Sequence, residues 1–141
     1  MQKFTKAIII MPVLVGISLI TGCTKPDNEL ITPYFHKGVY ASYSANKKSQ
    51  NYFYIFYDEN SGHTEGSERA IGLPFSCVQT NKSVKFRFGG IREPEEIFKI
   101  KSIKNEVITG SFDNGEILIF TPIPNENPES FDAAKYTKTS K

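Results

Sequence analysis

Between Gly38 and Thr121 the chain repeatedly alternates apolar and polar positions. In GVYASYS, Val39 and Ala41 face away from Tyr40 and Ser42. In VKFRF, Val84, Phe86 and Phe88 share one side, and Lys85 and Arg87 the other. IFKIKSI sets Phe98 and Ile100 against Lys99 and Lys101. A period of two belongs to strands with two unlike faces. NYFYIFY departs from this and is apolar on both: Tyr52, Tyr54 and Phe56 on one face, Phe53, Ile55 and Tyr57 on the other. ILIF, from Ile117 to Phe120, repeats the departure. IGLPFSCVQ reads as a strand interrupted at Pro74, which suits an edge or a bulge. VITGSF and EILIFTPI complete the set.

Polar punctuation separates these runs. NKKSQ, TNKS and KNE read as turns, DENSGHTEGSE as a polar loop with two glycines, and GGIREPEE as a long connection. Asn114-Gly115 in DNG signals a hairpin, because this pair accepts the positive φ angles of a type I′ turn. The pattern predicts an all-β domain over residues 38–121, with about seven or eight short strands in a small antiparallel meander barrel or sandwich. With 11 Phe, 7 Tyr and no Trp, the aromatic content consists of strand formers.

The flanks read differently. Lys3 and Lys6 precede an uncharged apolar run from Ala7 to Ile20, short for a membrane span and interrupted by Pro12. Ile20-Thr21-Gly22-Cys23 follows and resembles the lipobox of bacterial lipoproteins. The resemblance covers the first 23 residues. It implies that residues 1–22 are a signal peptide cleaved before Cys23, that the Cys23 sulfur carries diacylglycerol, and that the new α-amine takes a further acyl chain. Two or three chains anchor durably, because each buried methylene contributes about 0.8 kcal/mol. Thr24 stands where an Asp would resemble an inner-membrane retention signal, which points to the periplasmic face of the outer membrane in a Gram-negative cell. Residues 23–37, with two prolines and no sustained period, read as the acylated Cys and a tether. Residues 122–141, with three prolines, read as a flexible tail with one short helical turn around Ser130 to Tyr136.

Cleavage changes the charge. The chain has 17 basic and 15 acidic side chains, and losing Lys3 and Lys6 makes the counts equal. A neutral domain has no electrostatic footprint for nucleic acid and no polybasic patch for anionic lipid. Of the two cysteines, Cys77 is left without a partner if Cys23 is acylated, so the domain is expected to hold by packing. GVY opening the strand series, GLPFSC…VKFRFGG, and the late GSFDNGEILIFTP together resemble the small lipocalin-like domains of bacterial lipoproteins, with Tyr40 where that family's usual Trp would stand. That resemblance implies a barrel, and an apolar ligand inside it.

Candidate chemistry is sparse. Cys77 sits between apolar residues and reads as a small buried hydrophobe. The carboxylates from Asp58 to Glu68 fail the EF-hand spacing, since Gly62 and Arg69 fall on ligand positions, and His63 beside them is too little for zinc. Glu93, Glu95 and Glu96 crowd one turn rather than flank a cleft. The sequence has no nucleophile elbow, phosphate loop or dinucleotide fingerprint. The expectation is therefore a binding domain without catalysis, cofactor or metal, meeting an envelope protein through Tyr52, Tyr54 and Phe56. The alternative is an apolar carrier whose cavity is lined by Phe86, Phe88, Phe98 and Ile100.

Overall fold

The computed structural model describes residues 32–46, 49–66 and 72–137. The residues expected to form a signal peptide, Cys23, the first part of the expected tether and the last residues of the chain lie outside these. Eight strands follow one another around a closed antiparallel barrel: β1 Gly38–Ser44, β2 Ser49–Phe56, β3 Ser61–Gly66, β4 Pro74–Gln79, β5 Ser83–Phe88, β6 Glu96–Lys104, β7 Val107–Phe112 and β8 Ile117–Ile123. Each pairs with the next, and β8 closes on β1 with Val39 opposite Ile123 and Ser44 opposite Leu118. Closure pairs both strands that an open sheet would leave bare.

Seven of the strands lie where the alternation predicts them. β3 is the difference, for SGHTEG sits inside the expected polar loop. Its inward positions are Gly62 and Thr64, both buried. A Cβ at Gly62 would overlap the Ile55 carbonyl oxygen and stand 2.7 Å from Phe75 Cζ. The Ile55 backbone and the Phe75 ring already fill that space, so β3 needs no large apolar side chain there. Its hydrophobic signal is carried by β2 and β4.

The turns differ in one instructive way. Asn114 does not adopt positive φ. The Gly115 N–H donates to the Phe112 carbonyl at 3.0 Å, and Gly115 alone is left-handed at φ 85°. The two positive φ angles of a type I′ hairpin occur instead at Asn105 and Glu106, at 50° and 65°. There Lys104 pairs with Val107 across a two-residue loop.

Two register shifts re-aim side chains. In β2, Asn51 and Tyr52 together oppose Ser42, between the pairs Ala41–Phe53 and Tyr43–Gln50. The buried Ser42 hydroxyl serves this irregularity, donating to the Tyr52 carbonyl at 2.7 Å and accepting from its N–H at 3.2 Å. In β6 the shift lies between Ile100 and Ser102, so Lys101 is the extra residue and Ile103 falls opposite Ile108.

The barrel interior is packed with its own rings. Tyr54, Phe56, Phe75, Phe86, Phe98, Phe112 and Phe120 form one cluster with Val84, Ile108, Leu118 and Cys77. Eight strands leave an interior just wide enough for side chains to fill. Phe35 joins that cluster from outside the strands, fully buried. The expected tether thus ends earlier than residue 37, because Phe35 is a core residue of the barrel.

A second cluster lies on the outer wall of β1 and β2. Val39, Ala41, Phe53 and Ile55 pack there under Phe131 and Ala133. The residues after β8 therefore continue the fold rather than hang free. A 3-10 turn, Pro128–Ser130, is capped by the Asn127 side chain, and the short helix α1, Ala134–Thr137, follows it. The Phe53 ring sits 5.1 Å from Phe131 and 5.2 Å from Tyr136. This is why NYFYIFY is apolar on both faces: one faces the barrel interior, the other the tail.

Candidate binding groove

The segment Thr32–Lys37 crosses one end of the barrel and drives Phe35 into it. The Phe35 ring lies edge-on to Tyr40 and Phe120, at 5.2 and 5.1 Å. Gln79, ending β4, fastens the backbone beside it. Its Oε1 accepts from the Tyr34 and Phe35 N–H groups at 2.8 and 2.9 Å, and its Nε2 donates to the Phe35 and Glu59 carbonyls, both at 2.9 Å. The Tyr34 hydroxyl donates to the Asn81 carbonyl.

With Phe35 inside, its neighbours stand over the barrel rim and bound a groove of about 550 Å³. That volume lies within the range of about 300–1,000 Å³ of small-molecule sites. Thr32, Pro33, Tyr34 and His36 form one wall. The other is built by Tyr40 of β1, Pro122 of β8, Ile103 and Ile108 of β6 and β7, and Glu106 of the turn joining those two strands. Tyr40 and Pro122 are directly paired, as are Ile103 and Ile108, so each pair presents a common face. Ile103 reaches the groove because Lys101 is extra. Uninterrupted alternation from Phe98 and Ile100 would turn it to the outer wall.

Tyr34, Tyr40 and His36 at the groove have polar partners among the described residues. The Tyr40 hydroxyl accepts from the His36 N–H at 3.0 Å. Burial raises the Tyr40 pKa above its usual value, that hydrogen bond lowers it, and the Glu106 carboxylate raises it again. His36 Nδ1 stands 3.5 Å from Glu59 Oε1. Glu106 takes part in none of the ion pairs among the described residues, and no lysine or arginine among them lines the groove. Its backbone is also unusual. Glycine is the ordinary second residue of a type I′ turn, and a side-chain-bearing residue there costs on the order of 1 kcal/mol.

A second polar chain lies on the outer wall. The Tyr57 hydroxyl meets His63 Nδ1 at 2.7 Å, His63 Nε2 meets Glu65 Oε1 at 2.9 Å, and Glu65 Oε2 accepts from the Ala133 N–H at 3.0 Å. A phenol donating to Nδ1 leaves the Nε2–H to donate to Glu65. The chain runs from β2 through β3 to the tail and fixes the tail's position.

The residues singled out in the sequence are placed as follows. Tyr54 and Phe56 are 6% and 0% exposed and belong to the barrel interior. They present no surface to a partner, because closure buries the face to which alternation assigns them. Tyr52 is 46% exposed, out of phase with them through the irregularity opposite Ser42. Phe86 and Phe98 are fully buried, and Phe88 and Ile100 pack partly buried against the same cluster. Phe86 stacks on Phe88 at 5.4 Å, and Phe98 lies 5.2 Å from both Phe112 and Phe120. The space these four were expected to enclose is filled by rings, so they are packing residues. Cys77 is buried, and burial pushes its thiol up to about 12. Asp58 accepts from the Asn60 N–H at 2.7 Å and the Ser61 hydroxyl at 3.0 Å, forming a turn that lowers its pKa. Cys23 lies outside the described residues.

Sequence reading did not find the groove. Two signals pointed to it: adjacent aromatics, Tyr34-Phe35, in a supposed tether, and a Glu in KNE where a two-residue turn favours Gly. Compared with known proteins, the chain matches no family model, and no curated protein and no solved structure is significantly similar to it.

Proposed function

We propose that this chain is a bacterial lipoprotein, held on a membrane by acyl chains on Cys23, whose barrel is a binding module that works at the end nearest its anchor. The observation that carries the reading is the position of Phe35. The segment that follows the lipobox ends as a plug in the barrel, and the groove opens beside that plug. The chain from Cys23 to Thr32, fully extended, reaches about 30 Å. An anchored Cys23 therefore keeps the groove close to the bilayer, where a ligand or envelope partner at the membrane surface meets it at high local concentration.

A barrel filled with its own rings favours binding at the rim over carriage inside. Cys77, held protonated by burial, makes a poor nucleophile at neutral pH. Cys23→Ser tests the anchor. The variant should leave the membrane fraction for the soluble one with its barrel still folded by circular dichroism. A variant that folds and stays with the membrane contradicts the reading.

A further inference from the structure

We propose that the groove beside Phe35 takes a small organic ammonium ion with an apolar or aromatic body, its charge at Glu106 and its body against Tyr34, Tyr40, Ile103 and Ile108. The inference deepens the reading of this domain as a binding module and does not depend on the lipid.

Three independent observations converge. The groove is apolar over most of its wall, which asks for an apolar body. Its carboxylate, Glu106, is unpaired among the described residues and occupies a backbone position where glycine is ordinary. Strain of this kind persists where a side chain is useful. Ile103 is brought into the groove by an inserted residue in β6, and such insertions re-aim side chains beside binding sites. The sign of the charge follows from the lining. The described lining holds one carboxylate, Glu106, no lysine or arginine, and one histidine, His36, which already faces Glu59, so the groove favours cations over anions. Two phenol rings add the faces on which organic ammonium ions settle. A metal cation fits poorly, since it needs several oxygen ligands and the groove offers one carboxylate.

The test uses the protein as purified from cells, in lipid nanodiscs if it carries acyl chains and in buffer if it does not, and three probes of similar shape: phenethylamine, phenethyl alcohol and 3-phenylpropionate. Binding is followed by saturation-transfer NMR, with empty nanodiscs subtracted. The amine should bind tightest and the carboxylate weakest. Glu106→Gln should weaken the amine about two- to fivefold, the range of an exposed ion pair, and leave the alcohol unchanged. Glu106→Gly should abolish the preference while raising the melting temperature, because it relieves the left-handed backbone. This separates lost binding from lost folding. Equal binding of amine and alcohol overturns the ammonium assignment and leaves a neutral ligand site. Binding by none of the three overturns the groove as a small-molecule site, while Cys23 and the anchor stand or fall on their own test.

Discussion

Phe35 lies flat against Phe56, with 4.8 Å between ring centroids and 6° between planes. One residue precedes the first strand and the other ends the second. Their contact makes the incoming chain part of the core.

Phe35→Ala should therefore cost about 4 kcal/mol of unfolding free energy, as for other large aromatic residues cut out of a core. Gln79→Ala removes the amide that fastens the same segment and should cost about 2 kcal/mol, since backbone groups of Tyr34 and Phe35 lose their partners. Urea denaturation measures both. A loss below about 1 kcal/mol for Phe35→Ala would mean that the segment is an appendage.

The tail makes a parallel demand. Phe131→Ala should cost about 3 kcal/mol and open the wall formed by Phe53 and Ile55. Truncation after Pro124 should expose that wall fully and increase binding of a hydrophobic dye. An unchanged midpoint and unchanged dye binding would show that the tail does not cover β1 and β2 in solution.

Gly62 tests why β3 carries no hydrophobic signal. Gly62→Ala should destabilise by about 2 kcal/mol through overpacking against Ile55 and Phe75. Its φ is not left-handed, so backbone strain does not enter. Combining it with Phe75→Leu should recover part of the loss if crowding by the ring is a cause.

Alkali should weaken the fold through Cys77. The buried thiol titrates near 12, against an ordinary value of 9.0. Between these values the unfolded chain has lost a proton that the native chain keeps. Rising pH therefore favours unfolding, by up to about 1.4 kcal/mol per pH unit for this one group. Tyr40 and Tyr54, also raised by burial, add to the fall above their ordinary 10.0. Cys77→Ala should flatten the stability curve between pH 9 and pH 10 and leave it steep above. An identical slope in that window would contradict the placement of the thiol.

The legibility of this fold follows how each strand announces itself. β5 and β6 alternate because one face meets the core and the other water, so period alone predicts them, whereas the second face of β1 lies under the tail. β3 is silent because the Ile55 backbone and the Phe75 ring leave no room for a side chain at Gly62 and its other inward residue is Thr64. The two-faced β2 revealed that something must cover its second face, but period cannot say whether tail, ligand or partner does so. Tyr54 and Phe56 lie inside, and the same limit hides this: alternation groups residues by face without saying which face is inside. The groove was harder still. Ile103 lines it only because of an inserted Lys101, and Glu106 reaches it only through a left-handed turn. Neither leaves a trace in hydrophobic periodicity.

The most direct test of the account is intact mass spectrometry of the native protein released from membranes. The expected product begins at Cys23 and carries diacylglycerol on its sulfur, with or without an amide-linked acyl chain. A chain that retains residues 1–22, or one that begins at Cys23 with no lipid, would contradict the anchor and the placement of the groove beside a bilayer.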